Sequence, residues 1–282
     1  MSSQSFRKAA GLGKAEVIEI KGADALAFAN TQFASDVASL ADNRWQWSAW
    51  LSAQGRARCV FVLLRVAPDR LLMWLPLGGA AGLRDVLARF VLRAKVVLQV
   101  REDWTLADAS EAGIGAAGER HVVDIDGGFA FSQPGSRIAW IGPGDGASGD
   151  AFALDRWRLA DIAAGLPWID PKLQDEFVPQ ALDLERIDAV RFDKGCYPGQ
   201  EIAARLHFRG GNKRRLKRLR LRSLATPSPG SRLVEGSDDA GIVLYAARVD
   251  ESECEVLAVI AESVSASSAM SSGAREIAFG TT

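Results

Sequence analysis

A chain of 282 residues, 48% hydrophobic and 24% charged, with a net charge of −1, is long enough for two or three domains and has the balance of a soluble globular protein. No apolar run approaches the roughly 20 residues of a membrane span, and residues 1–8 lack a hydrophobic signal core, so a cytoplasmic protein with no membrane partner is expected. Three cysteines (Cys59, Cys196, Cys254), odd in number and far apart, argue against a disulfide framework, and two histidines (His121, His207) have no ligand partner at metal-binding spacing, so no metal ligands are assigned.

Taken in chain order, Glu16 to Ile20 reads as a short strand and Ala23-Asp24 opens a helix to about Phe33, with Asp24 as cap. Arg44 to Leu51 and Ala57 to Val66 read as two strands around a Ser52-Ala53-Gln54-Gly55 turn. Leu71 to Leu77 follows as a strand, Leu83 to Ala94 has helical spacing, and Val96 to Val100 returns as a strand. Residues 105–150 hold ten glycines and two strand candidates, Gly128 to Ser132 and Arg137 to Ile141, and read as a loop-rich sub-domain. Ala153 to Ala164 is a helix stopped by Gly165 and Pro167; Leu182 to Val190 and Pro198 to His207 read as two more. Beyond residue 212 five short strands, beginning at Arg215, Ser231, Gly241, Glu255 and Arg275, suggest a small antiparallel β-barrel, with Ser263 to Gly273 as a loop before the last. The fold class is α+β. The discontinuous segments 1–104 and 151–212 form an α+β region, 105–150 the loop-rich part, and 213–282 the barrel.

Chemistry concentrates in residues 194–201, Lys-Gly-Cys-Tyr-Pro-Gly-Gln-Glu. Pro198 suits a first helical turn, whose free amides, with Lys194, would favour a thiolate on Cys196; the alternative is a tight loop with Cys196 as a small buried hydrophobe. Residues 194–222 carry ten Lys/Arg against one acid, Glu201, so this segment is +9 and the rest of the chain −10. Such a stripe suits an anionic ligand or RNA, or else it is a solvated strand face interleaved by Leu216, Leu219 and Leu221. Trp45 and Trp47 share a face of their strand and suit either a flat ligand or core packing; Trp157 and Trp168 leave the same choice. Arg205 stands one turn after Glu201, at ion-pair spacing. Neither a catalytic Ser-His-Asp set nor a nucleotide-binding glycine pattern is present.

All seven defined positions of Lys-Gly-Cys-Tyr-x-Gly-Gln-Glu at 194–201 match, and on them the chain resembles the YgfZ-type folate-binding proteins, relatives of the aminomethyltransferase (T-protein) of the glycine cleavage system. Residues 28–37, 50–56, 164–167 and 177–183 resemble further elements of the family in order. The resemblance implies two α+β parts and a small barrel around a central channel, with tetrahydrofolate or a derivative as cofactor. It implies a role supporting iron–sulfur proteins or their assembly machinery by transient contact, including enzymes that modify tRNA. Cys196 is then the key thiol, tuned by Lys194. Trp45, Trp47, Gln180, Tyr197, Gln200, Glu201 and Arg205 are candidates for holding the folate, Arg205 toward its glutamate. The transferases carry an acid on the first hairpin, and here Leu51 to Arg58 has none. That points away from aminomethyl transfer and leaves a folate-dependent one-carbon transferase or demethylase as one alternative. An RNA- or protein-docking module using the 213–222 basic strand is the other.

Overall fold

The computed structural model describes residues 9–112, 119–146, 150–223, 225–235, 238–262 and 278–279. Among them three antiparallel sheets of five strands organise the chain. The first takes β2 (Val17–Lys21), β3 (Arg44–Leu51), β4 (Ala57–Ala67), β5 (Arg70–Trp74) and β6 (Val97–Val100) in the order β3-β4-β5-β2-β6. Its strands alternate apolar residues to both faces, as the period of two requires. Ile18, Ile20, Trp50, Phe61, Leu63 and Met73 pack beneath α1 (Ala25–Gln32) and α2 (Ala80–Ala88). Val17, Trp45, Leu51, Val62, Leu72 and Trp74 face the central core instead.

The second sheet runs β1-β7-β10-β9-β8, from β1 (Ala10–Lys14), β7 (Trp104–Asp108), β8 (Val122–Ile125), β9 (Gly128–Gln133) and β10 (Arg137–Pro143). Thus the glycine-rich stretch supplies four strands, and the fifth comes from the start of the chain, where Gly11-Leu12-Gly13 lies inside a strand. Gly13, at φ +115, sits where the β1–β7 register shifts. That irregularity hides β1 from an alternation search.

The third sheet, β11 (Arg214–Arg222), β12 (Arg232–Glu235), β13 (Asp238–Arg248), β14 (Glu253–Ala261) and β15 (Ala278–Phe279), runs β11-β14-β13-β12-β15. Among the described residues β11 and β15 are its two edges, so closure into the expected barrel is not seen. The expected loop 263–273 lies outside the described residues.

Helix α3 (Ala151–Ala163) is capped by Asp150 and ends before Gly165 at φ +64, as the Gly-Leu-Pro signal implies. It joins the sheets through a buried network. Arg137 of β10 donates to Asp161 Oδ1 at 2.7 Å and lies over the Trp157 ring at 4.3 Å. Trp168 Nε1 donates to Asp161 Oδ2 at 2.9 Å, and Tyr245 of β13 donates its hydroxyl proton to the Leu166 carbonyl at 2.7 Å. Trp157 and Trp168 therefore serve the core.

Two helix expectations need correction. Leu182–Val190 is a 3-10 turn, Pro179–Leu182, followed by further turns in which Asp183 and Asp188 adopt φ +54 and +57. The buried pair Leu184 and Ile187 imitates helical spacing, but left-handed aspartates break the run. Helix α2 stops at Ala88 instead of Ala94, leaving Leu92 exposed. Asp24 sits at the N-cap position of α1 yet makes no cap; its carboxylate accepts from the Lys95 amide at 2.7 Å. Among the described residues no helix is long and apolar enough to cross a membrane.

Candidate functional site

The site is built where the β3–β4 hairpin meets the start of α4 (Gln200–Arg209). Gly199 caps the helix at φ +76, and Gly55 in the hairpin turn has φ +70. Their backbones touch: a Cβ on Gly199 would stand 2.2 Å from the Ser52 carbonyl oxygen and 2.8 Å from Gly55 Cα. Only glycine fits both the left-handed backbone and the approach. Gly195 differs, with no left-handed φ and nothing within 4 Å of an added Cβ. Space beside Cys196 is open.

Lys194 is the clamp of this site. Its ammonium donates to the carbonyls of Asn30 at 2.7 Å, Phe33 at 2.8 Å and Ser35 at 2.7 Å. These carbonyls belong to the last turn of α1 and the chain leaving it, where acceptors lack helical partners and a cation is favoured. Burial pulls the Lys194 pKa down to about 8, against an upward pull from Asp36. The amide of Arg191 adds a bond to the Ala34 carbonyl at 2.9 Å, and Ala34 donates to Ala49 of β3 at 2.8 Å. Ser35 and Ser48 share a buried hydroxyl contact at 2.6 Å, and Gln46 Nε2 donates to Ser35 at 2.8 Å. Motif, end of α1 and β3 are thereby one unit.

Cys196 is exposed, four residues before the first helical residue, whereas Cys59 and Cys254 are buried. Burial pushes both of those thiols up, Cys59 well above the usual thiol range. Of the three thiols, only Cys196 is open to a reagent or partner.

Trp45 and Trp47 do share a face, their rings edge to face at 5.0 Å. Trp45 is only 3% exposed and meets Phe131 at 6.1 Å, while Arg120 lies over Trp47 at 5.3 Å and Trp45 at 6.0 Å. Arg120, held at φ +62, escaped the sequence reading, and no local pattern marks it. An open cavity of about 480 Å³ beside Trp45 is lined by Leu40, Arg44, Gln46 and Arg120 among others. Gln180 donates to the Ala203 carbonyl of α4 at 2.9 Å. Tyr197 is buried with its ring 5.3 Å from the Lys194 ammonium, and burial, then the charge of Glu185, holds its proton on. Gln200 is half-buried. Glu201 and Arg205 are exposed, and among the described residues they form no ion pair with each other.

Four of these side chains share a property. Trp45 Nε1, Trp47 Nε1, Gln180 Oε1 and the Tyr197 hydroxyl are buried without a hydrogen-bond partner. Such atoms are uncommon in a folded protein and call for a reason. Trp45 and Tyr197 belong to the central core and Trp47 packs against it. Seven further buried atoms of the described residues, Trp50 Nε1 among them, lack a hydrogen-bond partner too, and the cavity beside Trp45 is lined by neither Gln180 nor Tyr197; each of the four suits one position on the edge of a heterocycle that both donates and accepts, as a pterin does.

The hairpin 51–58 brings no carboxylate. Asp175 stands beside it, paired with Arg58 at 3.1 Å. On β11, Arg215, Arg218 and Arg220 are paired with Glu262, Glu255 and Glu253, while Leu216 packs on the central core and Leu221 in the core of the third sheet. The basic stripe is in part a paired sheet face.

No protein-family model matches the chain. It is 32% identical over 203 residues to an uncharacterized protein of Haemophilus influenzae, covering 71% of this chain and 68% of that one. It is 31% identical to the tRNA-modifying protein YgfZ of Klebsiella pneumoniae, over 86% of this chain and 81% of the relative. The tRNA-modifying protein YgfZ of Pectobacterium carotovorum is 29% identical over 85% and 79%. Among solved structures, the glycine cleavage system aminomethyltransferase T of Bartonella henselae superposes with a TM-score of 0.66 at 15% identity, covering 90% of this chain and 78% of that one. The two share a fold.

Proposed function

The chain belongs to the YgfZ family, and from that premise we propose that it is a tetrahydrofolate-binding accessory protein of tRNA modification. It supports iron–sulfur cluster assembly or repair in client enzymes, with Cys196 as the working thiol. The observation that carries the folate part is the set of buried, unpartnered polar atoms on Trp45, Trp47, Gln180 and Tyr197. Bound tetrahydrofolate would supply one-carbon chemistry. The chain's part is to satisfy the pterin edge with two indole N–H groups, the Gln180 amide oxygen and the Tyr197 hydroxyl, and to shut out water with the surrounding core. Gln200, Glu201 and Arg205 line the start of α4, where Arg205 is free to reach a carboxylate tail. Cys196, exposed on a loop held by the Lys194 clamp, meets a client's cluster or sulfur transiently. The absence of a hairpin carboxylate speaks against aminomethyl transfer, since no group there manages the developing charge.

The test is titration of the purified protein with tetrahydrofolate, followed by tryptophan fluorescence. Saturable quenching is expected, and Trp47→Phe or Gln180→Leu should weaken it about tenfold, one hydrogen bond's worth. A folded protein that shows no saturable quenching overturns the folate reading. For the thiol, Cys196→Ala should leave quenching intact while activities of iron–sulfur tRNA-modifying enzymes fall in cells.

A further inference from the structure

The far end of α4 adjoins the site described above, sharing Glu185 with Tyr197, but its aromatic residues are not used there. There Phe208 is 75% exposed. Its ring meets His207 edge to face at 4.7 Å and Phe192 at 6.3 Å, and His207 lies against Phe192 at 4.8 Å. Glu185 pairs with His207 Nδ1 at 2.8 Å and steadies the imidazole. Directly after this cluster the chain turns through Gly210 and Gly211, at φ +71 and +110, into β11. Arg209, Lys213, Arg214 and Lys217 are exposed there and, among the described residues, form no ion pair, unlike Arg215, Arg218 and Arg220.

Open ring faces beside unpaired cations match the chemistry of single-stranded nucleic acid, whose bases stack and whose phosphates need neutralising. An acidic peptide would use the cations and leave the rings in water. An apolar partner would cover the rings and bury charge without compensation. The remainder of the chain, at −10, repels a polyanion and concentrates it on this end.

We propose that Phe192, His207 and Phe208, with Arg209, Lys213, Arg214 and Lys217, form a docking surface for a single-stranded RNA segment. One base stacks on Phe208 and the backbone follows the chain into β11. The surface rests on the tRNA-modification reading for which RNA it meets. Along the axis of α4 Phe208 lies about 12 Å from Gln200, while Phe192 of the same cluster stands four residues before Cys196 in the chain.

The test is fluorescence anisotropy of the full chain with a labelled, unstructured RNA oligonucleotide across a KCl series. Four phosphate contacts predict a slope of log affinity against log salt of about −3. Phe208→Ala should lower affinity about 5- to 150-fold with the slope unchanged. The double variant Arg209→Gln, Lys213→Gln should roughly halve the slope. Far-UV circular dichroism reports that these exposed substitutions keep the fold. If Phe208→Ala binds as the parent does, or if a polyglutamate peptide displaces RNA as readily as unlabelled RNA does, the surface is a general anion site and the proposal fails. Modified-nucleoside levels in cells separate this from the parent reading. Loss of modification with Cys196→Ala, while RNA binding ignores Phe208, sinks the surface alone. RNA binding that depends on Phe208, with modification unaffected by either variant, sinks the tRNA reading and supports the surface.

Discussion

At the scale of single residues, Lys194 carries the clearest lesson. Its neighbours in sequence suggest a cation tuning Cys196, yet its three protons go to carbonyls 159 to 164 positions away. No local pattern reports such partners. Lys194→Met should cost on the order of 1–3 kcal/mol in urea denaturation, because it takes the ammonium from the Asn30 and Phe33 carbonyls and leaves Ser35 with only the Val37 amide at 3.0 Å. Its pKa of about 8 in the folded chain, against 10.5 ordinarily, means that the unfolded chain binds more protons between those values. Stability should therefore rise with pH from about 8 toward 10.5, and Lys194→Met should flatten that rise. Cys196 was legible as a candidate because the motif surrounds it, although its exposure was not. A thiol reagent should titrate one cysteine in the native protein and three after denaturation. Two or more reactive thiols in the native state would contradict the burial of Cys59 and Cys254.

At the scale of elements, strands with clean alternation and helices with glycine or proline stops were readable, and β3, β4 and α3 lie close to where they were expected. What misled was apolar spacing without its hydrogen bonds, as in Leu182 to Val190, and a strand disguised by glycines, as in β1. The contact between the hairpin turn and α4 was invisible in the sequence, because each glycine looks like an ordinary turn residue on its own. It yields a paired prediction. Gly199→Ala should be severely destabilising, since the added carbon meets the Ser52 carbonyl at 2.2 Å in a left-handed backbone. Gly195→Ala should change stability by less than about 0.5 kcal/mol, because nothing lies near it. Equal melting temperatures for the two variants would show that the hairpin does not rest on the helix as described.

For the whole molecule, the α+β class and the family's fold could be read from the motif and the order of elements, whereas the partners of each strand could not. The boundary expected at residue 104 falls at the first residue of β7, and the sheet that β7 enters begins at Ala10. Helix α3 and the loop after it are joined to the second sheet by Asp161 and to the third by Tyr245, groups that sequence patterns rank as unremarkable. Asp161→Leu strands the buried Arg137 guanidinium and should cost about 3–5 kcal/mol. Tyr245→Phe removes one of two bonds to the Leu166 carbonyl, which keeps the Trp168 amide at 3.0 Å, and should cost about 0.5–1.5 kcal/mol. Each is read as a lowered midpoint in chemical denaturation, and a neutral Asp161→Leu would mean the network does not join the sheets. The placement of β1 also has a bearing on how the protein is born. Its partner β7 begins roughly 90 residues later, so at about 5–20 residues per second the ribosome extrudes an unpaired edge for some 5–20 seconds. During that interval the intervening strands can close on themselves, and the β1 segment stays open to any chaperone that recognises an extended, half-apolar segment.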